Sequence, residues 1–182
     1  MSSVSAQEIA APSMTPAALR ESMSRFATGV IVLSVGGEHI HGMTANAFSS
    51  VSLDPPTVLC CVAHSAVMHK ALLSTRTFGV SVLGAEQEQT ARYFADKRRP
   101  LGPEQFDGVA WRPGEVTGAP LLDGAVAWLE CELADIHDSG DHAIFIGKVV
   151  HSAVAAPENS GLLFYEGGFR QIPVRGEKGA ES

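Results

Sequence analysis

Apolar runs in this chain are short, and glycine or proline stops nearly every one of them. There are 18 glycines and 10 prolines in 182 residues. The runs at 30–33, 48–53, 57–63, 78–83, 126–133 and 143–150 are all of strand length. Between them stand turn formers such as Gly36-Gly37, Asp54-Pro55-Pro56 and Ser139-Gly140-Asp141. The segment 126–133 alternates, with Ala127, Leu129, Cys131 and Leu133 on one face and Trp128, Glu130 and Glu132 on the other. The segment 57–63 is nearly continuous in apolar residues, which predicts a strand buried on both faces. Residues 39–43 read as the return strand after Gly36-Gly37. Roughly six or seven short strands joined in this way point to a mostly β fold, a closed or partly closed antiparallel barrel with a few helices.

The helices are sparse. Thr15 reads as an N-cap with Pro16 at the first helical position, and Leu19, Met23 and Phe26 give that helix an apolar stripe that Gly29 ends. Ser65 reads as the cap of a second helix over 66–74, and a third covers 86–95. Residues 97–124, rich in Gly and Pro, read mostly as loop. Residues 1–14 are predicted to be a disordered leader and 174–182 a disordered tail, leaving one domain over 15–173. An apolar content of 45% supports a packed core.

Several classes of function are disfavoured. A net charge of −7 argues against nucleic-acid binding, which needs clustered Lys and Arg. The one basic cluster, Lys97-Arg98-Arg99, runs at once into Pro100 and reads as a solvated loop. Cys60, Cys61 and Cys131 are odd in number and form no C-x-x-C, so neither a disulfide framework nor a zinc knuckle is indicated, and a cytoplasmic protein is expected. No signal peptide or membrane-length apolar run is evident. No G-x-G-x-x-G follows a strand, so a nicotinamide or flavin is not held in the Rossmann manner.

Two segments could carry chemistry. Gly42 to Pro56 packs small side chains, hydroxyls and one amide between strands. Small residues let a flat ring approach the backbone, and Thr, Ser and Asn can bond its edge without charge. An ordinary Ser/Thr-rich strand pair has the same composition. Gly140-Asp141-His142 places a histidine where a turn enters a strand, a position that serves structure as readily as a ligand. A metal site is a third reading: His39-x-His41 at strand spacing, with His137 or His142 completing it, although no carboxylate signature accompanies them.

The order of motifs is more informative than any one of them. Arg25-Phe26-Ala27-Thr28-Gly29-Val30, Gly42-Met43-Thr44-Ala45-Asn46 and Ser50-Val51-Ser52-Leu53-Asp54-Pro55-Pro56 come first. Gly118-Ala119-Pro120-Leu121-Leu122, Leu129-Glu130-Cys131 and Gly140-Asp141-His142 follow, the last with Ile144, Ile146 and Gly147-Lys148-Val149. In this order and spacing, over residues 18–172, the chain resembles the flavin reductase family of FMN-binding split barrels.

The resemblance implies a Greek-key-like split β-barrel homodimer with flavin at the subunit interface. It implies an NAD(P)H:flavin oxidoreductase that reduces FAD or FMN and supplies it, by diffusion, to a separate flavin-dependent monooxygenase. Met43, Thr44, Ala45 and Asn46 look like the stretch along the isoalloxazine, with Thr28 close to it. Ser49, Ser50, Val51 and Ser52 look like flavin contacts on the next strand. Ser65 matches a phosphate-contacting hydroxyl, with His69 and Lys70 adding positive charge, and Phe94 lies near the adenine or ring edge or else packs in the core. His142 is implied as the residue that positions the nicotinamide of NADH (or NADPH), with Asp141 fixing the turn or orienting the ring and Phe164, Tyr165 and Phe169 walling the pocket or packing the barrel. No protein acid or base is required at the reacting carbon, because the cofactors carry the chemistry. Val67, Ala47 and Ser81 depart from the family's usual Thr, Ser and Asn, which bears on flavin affinity and the FAD/FMN choice. A split barrel that binds flavin or haem without turnover, and an oxidase with tightly held FMN, are the rival readings.

Overall fold

The computed structural model describes residues 14–156 and 159–172, and the leader and tail expectations fall outside them, apart from Met14. The chain runs α1 (Pro16–Ser24), β1 (Thr28–Gly29), β2 (Ile31–Val35), β3 (His41–Ala45), β4 (Phe48–Leu53), β5 (Pro56–Ala63), α2 (Val67–Thr75) and β6 (Thr77–Val82). It continues with α3 (Glu88–Ala95), β7 (Trp111–Pro113), β8 (Pro120–Leu122), β9 (Ala127–Ser139), β10 (His142–Val154), β11 (Leu162–Tyr165) and β12 (Gly168–Gln171). Seven strands form one antiparallel sheet in the order β3-β2-β6-β9-β10-β5-β4, and β1-β11-β12 form a small second sheet. The edge strands β3 and β4 are consecutive in the chain and do not pair as a ladder, so the barrel is split there.

The inner face of the large sheet packs into a core that includes Leu33, Phe78, Phe145, Cys60 and Cys131, with Met68 and Leu72 of α2 closing it. A second cluster, with Val30, Val32, Leu83, Phe94, Phe106 and Leu122, lies between the sheet and α3. Phe94 there leaves no room at position 42: a Cβ on Gly42 would sit 2.6 Å from its ring.

Several expectations change in the structure. The first helix ends at Ser24, not at Gly29, which belongs to β1. Its stripe is not core, because α1 buries none of its residues and Leu19, Met23 and Phe26 are exposed. After Gly36 the chain makes a 3-10 turn, Gly37–His39, so His39 and buried His41 do not sit side by side on one strand and the metal reading loses its geometry. Strand β5 is not buried on both faces: Val58, Cys60 and Val62 point inward, while Leu59 and Cys61 are half-buried. The cap of α2 is Ala66, which has no side-chain bond to give, and Ser65 lies in the turn before it. The segment 97–124 contains a 3-10 turn and a two-stranded ladder, and β8 within it is buried.

The largest departure from alternation is Glu130, expected to face outward with Trp128 and Glu132 but fully buried. Its carboxylate accepts hydrogen bonds from the backbone N–H of Val116 and Thr117 (3.0 and 2.7 Å), the Thr117 hydroxyl (2.8 Å) and His151 Nδ1 (3.1 Å). Burial alone would raise its pKa, but the bonds from Thr117, Val116 and His151 outweigh it and hold the carboxyl below its ordinary value. The loop 114–118 covers β9 at this point, and that is why the solvent expected there is missing.

Candidate functional site

A cleft of about 600 Å³ opens on the outer side of the sheet. Its floor comes from β4 and β5, through Phe48, Ser49, Leu59 and Cys61. One side is α1 and the chain leaving it, through Arg20, Met23, Ser24 and Phe26, and the opposite side is Phe164 and Gly167 of the β11–β12 hairpin. Thr28, Asn46 and Ala47 complete it. The walls are mainly apolar, with polar groups confined to a few points, the composition of a site for a flat organic ligand. Asn46 Nδ2 donates to Thr28 Oγ1 at 3.2 Å, which leaves the amide oxygen and the Thr28 hydroxyl proton to a ligand.

Register extends this surface toward His142. Ser49 pairs with Leu59, Leu59 with Ile146, Cys61 with Ile144 and Ala63 with His142. Paired residues share a face, so His142 stands on the cleft side of the sheet, two residues along β10 from the partner of Cys61. Its Nδ1 lies 2.7 Å from Asp141 Oδ1, and that hydrogen bond holds the Asp141 carboxyl below its ordinary range. The contact fixes Nδ1 and leaves Nε2 to point outward as the group that can meet a ligand. A shallower hollow of about 500 Å³ includes Asp141 together with Thr15, Pro16, Leu19 and Arg20 of α1. Arg20 also lines the cleft, so α1 borders both.

Of the residues singled out from sequence, Thr28, Asn46 and Ser49 meet in the cleft, with Phe164 as its far wall. Others lie outside its lining. Met43 and Ala45 pack against the barrel core, and the Thr44 hydroxyl donates to the Ala91 carbonyl at 2.7 Å. Phe94 is fully buried and has no surface to offer a ligand, so the core alternative holds for it. Ser50 and Val51 are exposed on β4, and Ser52 closes the turn at Asp54 through its hydroxyl. Ser65 and Lys70 are exposed near the start of α2, and His69 packs edge-on between His64 and Phe145. Tyr165 and Phe169 are half-buried, with Phe169 under the Arg92 guanidinium and edge-on to Phe164. Ser81 is buried and accepts from Leu122 N–H at 2.9 Å, so its departure from the family's Asn lies outside the cleft. Ala47, by contrast, lines it.

Sequence reasoning missed the contributions of Leu59 and Cys61 and of α1. The signal was present for the helix: an apolar stripe with no other element left to cover it. Among the described residues, no group of three or more His, Cys, Asp or Glu side chains could hold a metal ion. Nor, among the described residues, is any helix long and apolar enough to cross a membrane.

A split barrel with an apolar cleft, edged by one amide and a few hydroxyls, defines a small β protein able to seat a flat aromatic ligand. Comparison narrows that class. A family described as flavin reductase like domain matches residues 23–173. An NADH-dependent FAD reductase of Streptomyces globisporus is 51% identical over 161 residues, 88% of each chain. The reductase subunit of a flavin-dependent monooxygenase from Mycobacterium tuberculosis is 33% identical over 159 residues, 86% of this chain and 82% of its own. Among solved structures, the flavin reductase component of a bacterial two-component tryptophan halogenase matches with a TM-score of 0.84 at 47% identity, over 88% of this chain and 100% of that one. The chain belongs to the flavin reductase family.

Proposed function

We propose that this protein is an NADH-dependent flavin reductase that takes FAD as its favoured acceptor and hands the reduced flavin to a separate flavin-dependent monooxygenase. The observation that carries the reading is the shared surface: Thr28, Asn46 and Ser49 in an apolar cleft, with His142 on the same side of the sheet. The relatives' use of NADH and FAD, and their pairing with oxygenases or halogenases, supports the choice of substrates and partner.

The chemistry belongs to the two cofactors, a hydride passing from nicotinamide C4 to flavin N5. The chain's task is binding and geometry. Asn46, Thr28 and Ser49 bond the polar edge of the flavin, and Leu59, Cys61 and Phe48 lie under its apolar face. His142 holds the nicotinamide carboxamide through Nε2, oriented by Asp141. Phe164 and Gly167 bound the space from the other side.

The protein acts as a homodimer in this reading. Support comes from the apolar surface left uncovered around the cleft: Val51 and Leu53 on β4, the latter 91% exposed, and the α1 stripe. Transfer of reduced flavin occurs by diffusion, and the protein works in the cytoplasm, where three free thiols suit a reducing compartment.

The test is NADH and NADPH oxidation measured with FAD, with FMN and with no added flavin. A flavin-dependent rate, highest with NADH and FAD, is expected, and no flavin-dependent rate with either nucleotide would sink the reading. In the same assay His142→Ala raises KM for NADH by about tenfold and leaves KM for FAD nearly unchanged. An unaltered KM for NADH would remove His142 from the site.

A further inference from the structure

Glu166 holds a conformation that its residue type disfavours. Its φ is +50°, and Gly167 follows at +72°. These are the two loop residues of the β11–β12 hairpin, because Tyr165 pairs with Gly168. Two left-handed residues in succession suit Asn-Gly or Gly-Gly, and a glutamate in the first place is strained. Such strain persists only where surrounding contacts over-determine it.

Those contacts all reach across to one neighbour. The Glu166 carboxylate pairs with the Arg25 guanidinium, and the Glu166 backbone N–H donates to the Ser24 carbonyl at 2.9 Å. Ser24 and Arg25 are the last residue and the cap of α1, a helix that buries none of its own side chains. Ser24 and Phe26 line one side of the cleft and Phe164 and Gly167 the other, so the contact spans the cleft at its end. Both side chains are partly solvent-exposed, so the ion pair adds little to global stability. The β1–β11 ladder and buried Leu162 already set the base of the hairpin, so what the pair fixes is its tip, Glu166 and Gly167, against the end of α1.

We propose that Arg25 and Glu166 form a latch, a pair of positioning residues that holds the tip of the β11–β12 hairpin as part of the nicotinamide-side wall of the cleft. The proposal rests on the reductase reading above. Phe164 is placed by its pairing with Thr28; with the latch made, Gly167 beside it is also held in place, and the second ring to enter meets a complete wall. With it broken, the hairpin keeps its fold and its ladder to β1 but its tip is released from α1, and the nucleotide must order that tip as it binds.

Glycine makes the test selective, because Glu166→Gly removes the latch and the strain together. A merely structural role predicts an unchanged or raised Tm and unchanged kinetics. The latch predicts an unchanged or raised Tm with KM for NADH raised about fivefold, and kcat and KM for FAD within about twofold of wild type. Glu166→Asn, which also tolerates the left-handed turn, separates loss of charge from added flexibility and gives the same KM effect. The charge exchange Arg25→Glu with Glu166→Arg returns KM for NADH toward the wild-type value. An unchanged KM for NADH in both single variants overturns the latch, and an equal rise in KM for FAD overturns its assignment to the nicotinamide side. Absence of NADH-driven flavin reduction in the wild-type protein strikes the reductase reading instead, so the two failures are distinguishable.

Discussion

The two hairpins that flank α1 solve the same problem by different means. The β9–β10 hairpin is long, with two 13-residue strands inside the large sheet, and its turn is at Gly140 with φ +62°. The β11–β12 hairpin has four residues in each strand and turns at Glu166 and Gly167. The first is held by its own ladder and by core packing, and it brings Asp141 to one end of α1. The second is anchored at its base by the β1–β11 ladder and by buried Leu162, while its tip is held by what it touches: Ser24 and Arg25 at the other end of α1. A residue on the long hairpin is therefore fixed by the large sheet, whereas on the short hairpin only the tip, Glu166 and Gly167, stands beyond the ladder that anchors the base. His142 and Phe164 both stand in ladders, and only the Glu166–Gly167 tip depends on its contact with α1.

Substitutions can probe the contrast. The largest effect is expected in the body of the long hairpin. Gly147 on β10 has the Phe78 ring directly over it, so any Cβ collides with a fully buried aromatic. Gly147→Val should cost about 3 kcal/mol or more in urea unfolding, with loss of soluble protein as the extreme outcome. Next comes Glu130→Ala, which strips the buried acceptor from Val116, Thr117 and His151 and should cost about 2–3 kcal/mol. Because the Glu130 carboxyl is held below its ordinary value, its stabilising contribution is present above the unfolded pKa of about 4.3 and fades as pH falls through the folded value. A urea series from neutral pH downward should show that acid loss, and Glu130→Gln should flatten it.

The smallest effects should differ in sign between the two turns. Gly140→Ala places a Cβ in a left-handed residue and should destabilise by about 1 kcal/mol. Glu166→Gly relieves the same kind of strain and should leave stability unchanged or raise it by about 0.5 kcal/mol. Equal signs at the two turns would erase the distinction between a turn held by its ladder and one held by its neighbours.

The contrast also marks what could be read in advance. The long hairpin was legible because alternation over 126–133 and the Gly140 turn are local signals, although its strands run further than the alternation does. The short hairpin was seen only as aromatic residues near the C-terminus, since four-residue strands carry too little periodicity. Glu130 broke its own pattern because a loop brought from positions 114–118 covers it, and no local window contains that fact. For the cleft, the Gly42–Pro56 stretch supplies Asn46, Ala47, Phe48 and Ser49 to the lining, and its other residues lie outside it. Period-2 geometry sends neighbours to opposite sides, so Asn46 and Ser49 reach the cleft while Met43 and Ala45 turn inward. The α1 wall and Leu59 with Cys61 were missed because an apolar residue beside a cleft and one inside a core look alike in sequence.

Gly42 shows what the family's string of letters measures. It opens Gly-Met-Thr-Ala-Asn, a run that reads as ligand chemistry, yet the demand at its first position is made by Phe94, a ring buried behind the strand. A descendant that had lost every substrate would still need glycine there to keep its barrel. The Gly-Met-Thr-Ala-Asn string is thus a composite: Gly42 answers to the core behind the strand, and Asn46 faces the cleft in front of it.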